Sequence, residues 1–197
     1  MDKDDIVATG TLDFGDLTDM PAMSTREKIE HWMKVFECQW NDVPVMLTVS
    51  QRELLGKLLL EECLESLVKG LGLLVFVSVT PTSMETEVRL NEGQPYNPIE
   101  FADGLADTAW VAYYNARVAG FNLDDVIDEV YESNMSKLDA DGRPIHNMCR
   151  HDAIPGANPS GVECLEDSHL IDPTKPRGKI LKGPNFRTPD IAKAIGV

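Results

Sequence analysis

The chain has 197 residues, 43% of them hydrophobic, and carries 33 acidic against 18 basic side chains for a formal charge of −15. That length and apolar content suit one domain with embellishments, and the acidic balance argues against a nucleic-acid polymer as partner, because binding phosphates in number needs clustered Lys and Arg. No apolar run reaches spanning length, and the start MDKDDIVATG lacks the basic-then-apolar order of a signal peptide, so the sequence predicts no membrane partner and a cytoplasmic location.

Residues 1 to 24 mix Gly, Asp, Pro and Met without periodicity and read as a loosely ordered leader. Ser24 and Thr25 can cap a helix from about Arg26 to Cys38, with Ile29, Trp32, Met33 and Phe36 as one apolar core face. The segment QWNDVPVMLTVS is a connection, since Pro44 blocks helix continuation. Ser50, three residues before Glu53, has the form of a capping box and opens a long helix to about Lys69, ended by Gly70 and Gly72.

Val75, Val77 and Val79 alternate with Phe76 and Ser78, and Glu85, Glu87 and Arg89 alternate with Thr86, Val88 and Leu90, which predicts a β-hairpin within about 73–96. A further helix runs from Pro98 to Ala119 and stops at Gly120. Asn122 caps LDDVIDEVYESNMSKL, whose buried stripe is Leu123, Val126, Ile127 and Val130 and whose solvated face is Asp128, Glu129 and Glu132. Beyond Leu138 the Gly, Pro, Asn and Asp content predicts a long arm packed over the helices, with a short strand at GKILK. The divisions are a leader (1–24), a helical domain (25–140) and a C-terminal arm (141–197). Four main helices with apolar faces on more than one side predict homo-oligomerisation.

The chemistry gathers around LLLEECLESL, residues 58 to 67, where Glu61, Glu62 and Glu65 stand in a leucine run. On a helix, Glu62 and Glu65 share a face with Leu58, and carboxylates aimed at apolar neighbours are costly unless a divalent cation with oxygen ligands neutralises them. Glu100, Asp103 and Asp107 fall at i, i+3 and i+7 of the next long helix, so two facing helices supply the set. A solvated surface is the ordinary reading of a single helical glutamate such as Glu61.

Six basic residues lie between Lys175 and Lys193 against one acid, Asp190, while the rest of the chain holds 12 basic and 32 acidic residues. An acidic body with a basic arm fits a small polyanion gripped by the arm and by a metal on the body. A Walker A reading of Gly178 to Gly183 fails because Pro184 stands where Lys is required. Cys149, His151, Cys164 and His169 number enough ligands for a structural zinc site, but their irregular spacing favours an ordered loop with reduced thiols. Glu166-x-x-His169 matches half of a di-iron motif with no second copy on a helix.

Glu62-x-x-Glu65, then EFADGLADTAWV, SNMSKL and GKILKGPNFRTPD, resemble the all-α nucleoside triphosphate pyrophosphohydrolase superfamily. Within it the chain is most similar to the MazG-like, phosphoribosyl-ATP pyrophosphohydrolase-like proteins of bacteriophages, over about residues 26 to 190. The resemblance implies an all-α helical bundle with an inserted β-hairpin, cleaving a (deoxy)nucleoside triphosphate into monophosphate and diphosphate. It implies Mg²⁺, or Mn²⁺, held by Glu62, Glu65, Asp103 and Asp107, with Glu61 or Glu100 as an outer ligand or the base that orients the water. The hairpin puts 34 residues between Glu65 and Glu100, more than the family's pattern has; separately, Glu100-x-x-Asp103 fits the second motif literally while ADGLAD favours Asp103 and Asp107, which leaves open which two bind metal directly. Asn134 and Lys137 are similar to the family's substrate-contacting pair, and Lys179, Lys182 and Asn185 are the arm's phosphate or base contacts. The likeness to MazZ-like enzymes favours dGTP in support of 2-aminoadenine synthesis, with dUTP, dCTP or general house-cleaning of nucleotides as alternatives, and a dimer or tetramer as the assembly. A non-catalytic helical assembly protein that binds metal is the reading from another class.

Overall fold

The computed structural model describes residues 23–149 and 169–197. Among these, α1 (Thr25–Val35), α2 (Val49–Glu65), β1 (Leu73–Val79), β2 (Met84–Leu90), α3 (Pro98–Ala119), α4 (Leu123–Met135) and α5 (Ile191–Ile195) follow in order, with a π-helical turn, Ser66–Gly70, between α2 and β1. The expected leader falls almost wholly on residues 1–22, outside the described residues.

Helix starts follow side chains that satisfy first-turn amides. Ser24 Oγ accepts the Glu27 N–H at 3.2 Å while the Glu27 carboxylate accepts the Ser24 N–H at 2.7 Å, a complete capping box for α1. For α2 the box is Thr48 with Gln51, not Ser50 with Glu53. Both pairs fit the pattern, and starting two residues earlier adds half a turn of backbone hydrogen bonds.

α3 opens at Pro98 behind the Asn97 cap and closes at Gly120, whose φ of +89° is left-handed. Its last carbonyls, which have no partner inside the helix, are taken by the α1–α2 connection. The Asn41 N–H donates to Arg117 O at 3.0 Å, Asn41 Nδ2 to Val118 O at 2.6 Å and the Val45 N–H to Ala119 O at 3.1 Å. Arg117, only 8% exposed, pairs with Asp42 at 2.9 Å and lies 3.0 Å from Glu30, close but out of hydrogen-bond alignment with it.

The all-α expectation is corrected here. Five helices accompany a two-stranded antiparallel sheet, so the described residues form a small mixed fold. The alternating β-branched run lies where the pattern placed it, and it pairs over seven positions from Leu73↔Leu90 to Val79↔Met84.

Ile29, Met33, Leu55 and Val118 make the buried core, ringed by Trp32, Trp110, Tyr113 and Tyr114. Phe36 leaves the face expected of it and is 63% exposed, stacked on Trp32 at 4.9 Å. Within α2 only Leu55 is buried, and Leu60 of the leucine run is 54% exposed. The expected stripe of α4 is likewise corrected: Ile127 is 47% and Val130 39% exposed. α4 is held by the Tyr113 hydroxyl bonding Asp124 at 2.6 Å and by packing on α5, and neither covers those apolar side chains. The strand expected at GKILK reduces to one antiparallel bridge, His146↔Ile180. Among the described residues no helix is long and apolar enough to cross a membrane.

Candidate active site

The acidic stretches of α2 and α3 meet at a point where two backbones nearly touch. A Cβ on Gly104 would lie 2.8 Å from Ser66 Cα, a distance only glycine permits. Glu62 and Glu65 precede Ser66 by four residues and one, and Asp103 and Asp107 flank Gly104 by one and three. Each of these carboxylates therefore starts within about a turn of the crossing.

Glu62 is half-buried, and its carboxyl is held above the ordinary range, first by desolvation and then by the negative charges of Asp107, Glu65 and Glu61, with Lys69 opposing them. Glu65 is exposed and accepts a hydrogen bond from Lys69 Nζ at 2.7 Å. That bond, with the charges of Glu65, Glu100 and Glu62, raises the Lys69 ammonium above its ordinary value. Glu61 pairs with Lys57 at 3.5 Å, and Asp103 is exposed on the same face of α3 as Glu100 and Asp107.

Glu62, Glu65, Glu100 and Asp107 thus share one negative neighbourhood with Lys69 as its cation. Among the described residues no three Cys, His, Asp or Glu side chains stand close enough to close on a metal ion as they are placed. The donors nevertheless suit a hard divalent cation: they are carboxylate oxygens, and such a cation would offset the desolvation and the repulsion that raise Glu62. Rotation of the exposed Glu65, Asp103 and Asp107 side chains is what closure on a metal would require.

The second half of the site is where SNMSK and KGPNF lock together. The Gly183 N–H donates to Lys137 O at 2.9 Å, and a Cβ on Gly183 would fall 2.1 Å from Leu138 O. Ser133 Oγ donates to Arg187 O at 2.9 Å, and the Arg187 N–H to Ser136 Oγ at 3.0 Å. Lys137 Nζ bonds Asn134 Oδ1 at 2.6 Å, and Lys182 Nζ lies 4.1 Å from the Phe186 ring centroid. Lys137, Asn134, Lys182 and Asn185 are gathered at one end of α4, while Lys179 anchors the arm through its carbonyl, which accepts the Asn147 N–H at 2.7 Å.

Among the described residues no hydrogen bond or ion pair joins this cationic end to the carboxylates of α2 and α3. A cavity of about 560 Å³ beside Trp40, Asn41 and Gln51 is elsewhere, near Val118, about 16 Å along α3 from Asp107.

No protein-family model matches the chain, and no curated protein matches it.

Two residues that sequence reasoning passed over hold the arm. Arg187 bonds Glu129 and, at 2.6 Å, Glu132, so two acids of the exposed face of α4 also clamp the arm. No local pattern could pair them, because more than 50 residues intervene. Asn147, fully buried, donates from Nδ2 to the carbonyls of Asp172, Lys175 and Pro176 at 2.9, 2.8 and 3.1 Å and accepts the Asp172 N–H at 2.9 Å. The Asp172 carboxyl is lowered to about 2 by Lys175 and then by Thr174. Of the zinc candidates, Cys149 is buried in a bridge to Leu170, with Arg177 Nη1 3.6 Å from its sulfur; His151 and Cys164, like Glu166, lie outside the described residues.

The clamp predicts a pH dependence. Arg187 and then the Asp190 N–H lower the Glu129 carboxyl, so its contribution is present above the ordinary carboxylate range and is lost as pH falls through the lowered value. Hydrogen-exchange protection of residues 183–190 should stay level from about pH 7 to about pH 5 and fall below about pH 4, and Glu129→Gln should remove that acid limb.

Proposed function

We propose that the chain is a metal-dependent nucleoside triphosphate pyrophosphohydrolase, converting a (deoxy)nucleoside triphosphate and water to the monophosphate and diphosphate. The supporting observation is the close crossing of α2 and α3 at Ser66 and Gly104, which brings Asp107 near enough for its charge to act on the Glu62 carboxyl. Glu62, Glu65, Asp103 and Asp107 are the residues that would hold Mg²⁺ or Mn²⁺, which when bound supplies charge neutralisation at the phosphates and an activated water.

The chain's own groups divide the remaining work. Glu61 or Glu100, at the edge of the cluster, orients the attacking water through a hydrogen bond. Lys137 and Lys182 place point charges against phosphate oxygens, with Asn134 and Asn185 donating or accepting beside them. The arm, clamped by Arg187, closes that side. Lys69 is the internal counter-charge of the acids until a cation takes its place.

On the resemblance of SNMSKL and KGPNF, we favour dGTP as substrate, cytoplasmic action and a homo-oligomer, dimer or tetramer. Diphosphate release from dGTP, dATP, dCTP and dUTP, each mixed with the protein and Mg²⁺, tests the reading. Release from dGTP at a kcat/KM at least about tenfold above the others is expected, a difference of about 1.4 kcal/mol. Release from none overturns the proposed reaction, and preference for a pyrimidine overturns the proposed substrate.

A further inference from the structure

The register of the hairpin sorts its side chains into two unlike faces. Leu73, Val75, Val77 and Val79 share one face with their partners Leu90, Val88, Thr86 and Met84, and no charge falls among them. The other face carries Glu85, Glu87 and Arg89, the last two paired at 2.6 Å, opposite Ser78, Phe76 and Leu74. On the uncharged face Leu73 and Val75 are partly buried near the base, while Val77 is 53%, Val79 70%, Met84 73%, Val88 53% and Leu90 71% exposed. The hairpin is tied to the body at its base, through the π turn, whose Gly70 O accepts the Asn97 N–H at 2.8 Å. A two-stranded hairpin with one apolar face needs a covering layer to be stable in water.

We propose that this face packs against the same face of a second copy of the chain, two hairpins forming a two-layer sandwich about a dyad. Charge selects the occupant. A chain with a net charge of −15 repels its copies, and this face is an uncharged patch on which they can meet without setting acids opposite acids. The exposed stripe of α4, Ile127, Val130 and Tyr131, is the rival surface, but Asp124, Asp128 and Glu132 flank it and would oppose their counterparts. Self-packing suits the shape as well, because paired sheets stack about 10 Å apart and interdigitate. Two such patches together bury on the order of 1,000 Å², the floor for a specific interface.

Sedimentation velocity on the full chain over a range of concentrations tests this. The parent chain should reversibly reach at least the mass of two chains. Val88→Glu, which buries a charge at the centre of the sandwich, should weaken association at least about tenfold. Ser78→Lys, on the charged face opposite Glu85, should leave it unchanged. Hydrogen exchange of the parent chain gives a check that needs no variant: amides of residues 73–90 should gain protection with concentration. A single-chain mass at every concentration, undiminished association of Val88→Glu, or concentration-dependent protection confined to α4 would each overturn the proposal.

Discussion

Glu62→Gln should lower triphosphate turnover by about a thousandfold, roughly 4 kcal/mol of barrier, while far-UV circular dichroism and the melting temperature stay at the parent values. The substitution keeps the shape of the side chain and removes the charge that a divalent cation would use. Folding has little reason to suffer. Glu62 is the half-buried acid whose charge its neighbours Asp107, Glu65 and Glu61 already disfavour, so a neutral amide there relieves repulsion. Activity retained within a few fold would end the reading of α2 and α3 as a metal-binding pair. Loss of assembly with no catalytic change would instead favour a structural role for the acids.

The second large effect belongs to a residue with no side chain. Gly104→Ala should destabilise the protein by about 1–3 kcal/mol, because the added Cβ meets Ser66 Cα at 2.8 Å and one helix must back away from the other. Gly56→Ala is the contrast within α2: nothing lies within 4 Å of its added Cβ, and alanine gains about 0.5–1 kcal/mol in a helix interior. Denaturant midpoints at constant slope should therefore move in opposite directions for two chemically identical changes. Gly104→Ala should also cost activity beyond its cost in stability, since separating α2 from α3 draws Asp107 away from Glu62. If both substitutions stabilise, the close approach at Ser66 is wrong, and with it the shared electrostatics of the acids.

Local chemistry was legible where the chain's neighbours in sequence are its neighbours in space. Asn97, Pro98 and Gly120 bound α3 because a cap, a preset φ and a left-handed stop act within a few residues. Ser24 starts α1 for the same reason, and the valine alternation of residues 75–79 suffices to place a hairpin. The candidate acids, too, were visible as helical spacing alone.

What only the tertiary structure decided are the relations between distant segments. The Arg187 clamp on Glu129 and Glu132, the burial of Asn147 among the carbonyls of 172–176 and the bare apolar faces of the hairpin and α4 have no local signature. Periodicity reports which side chains could be buried together, but not whether a surface exists to bury them. That depends on what packs opposite, and here much of the apolar face of α4, and of the sheet, stays exposed among the described residues.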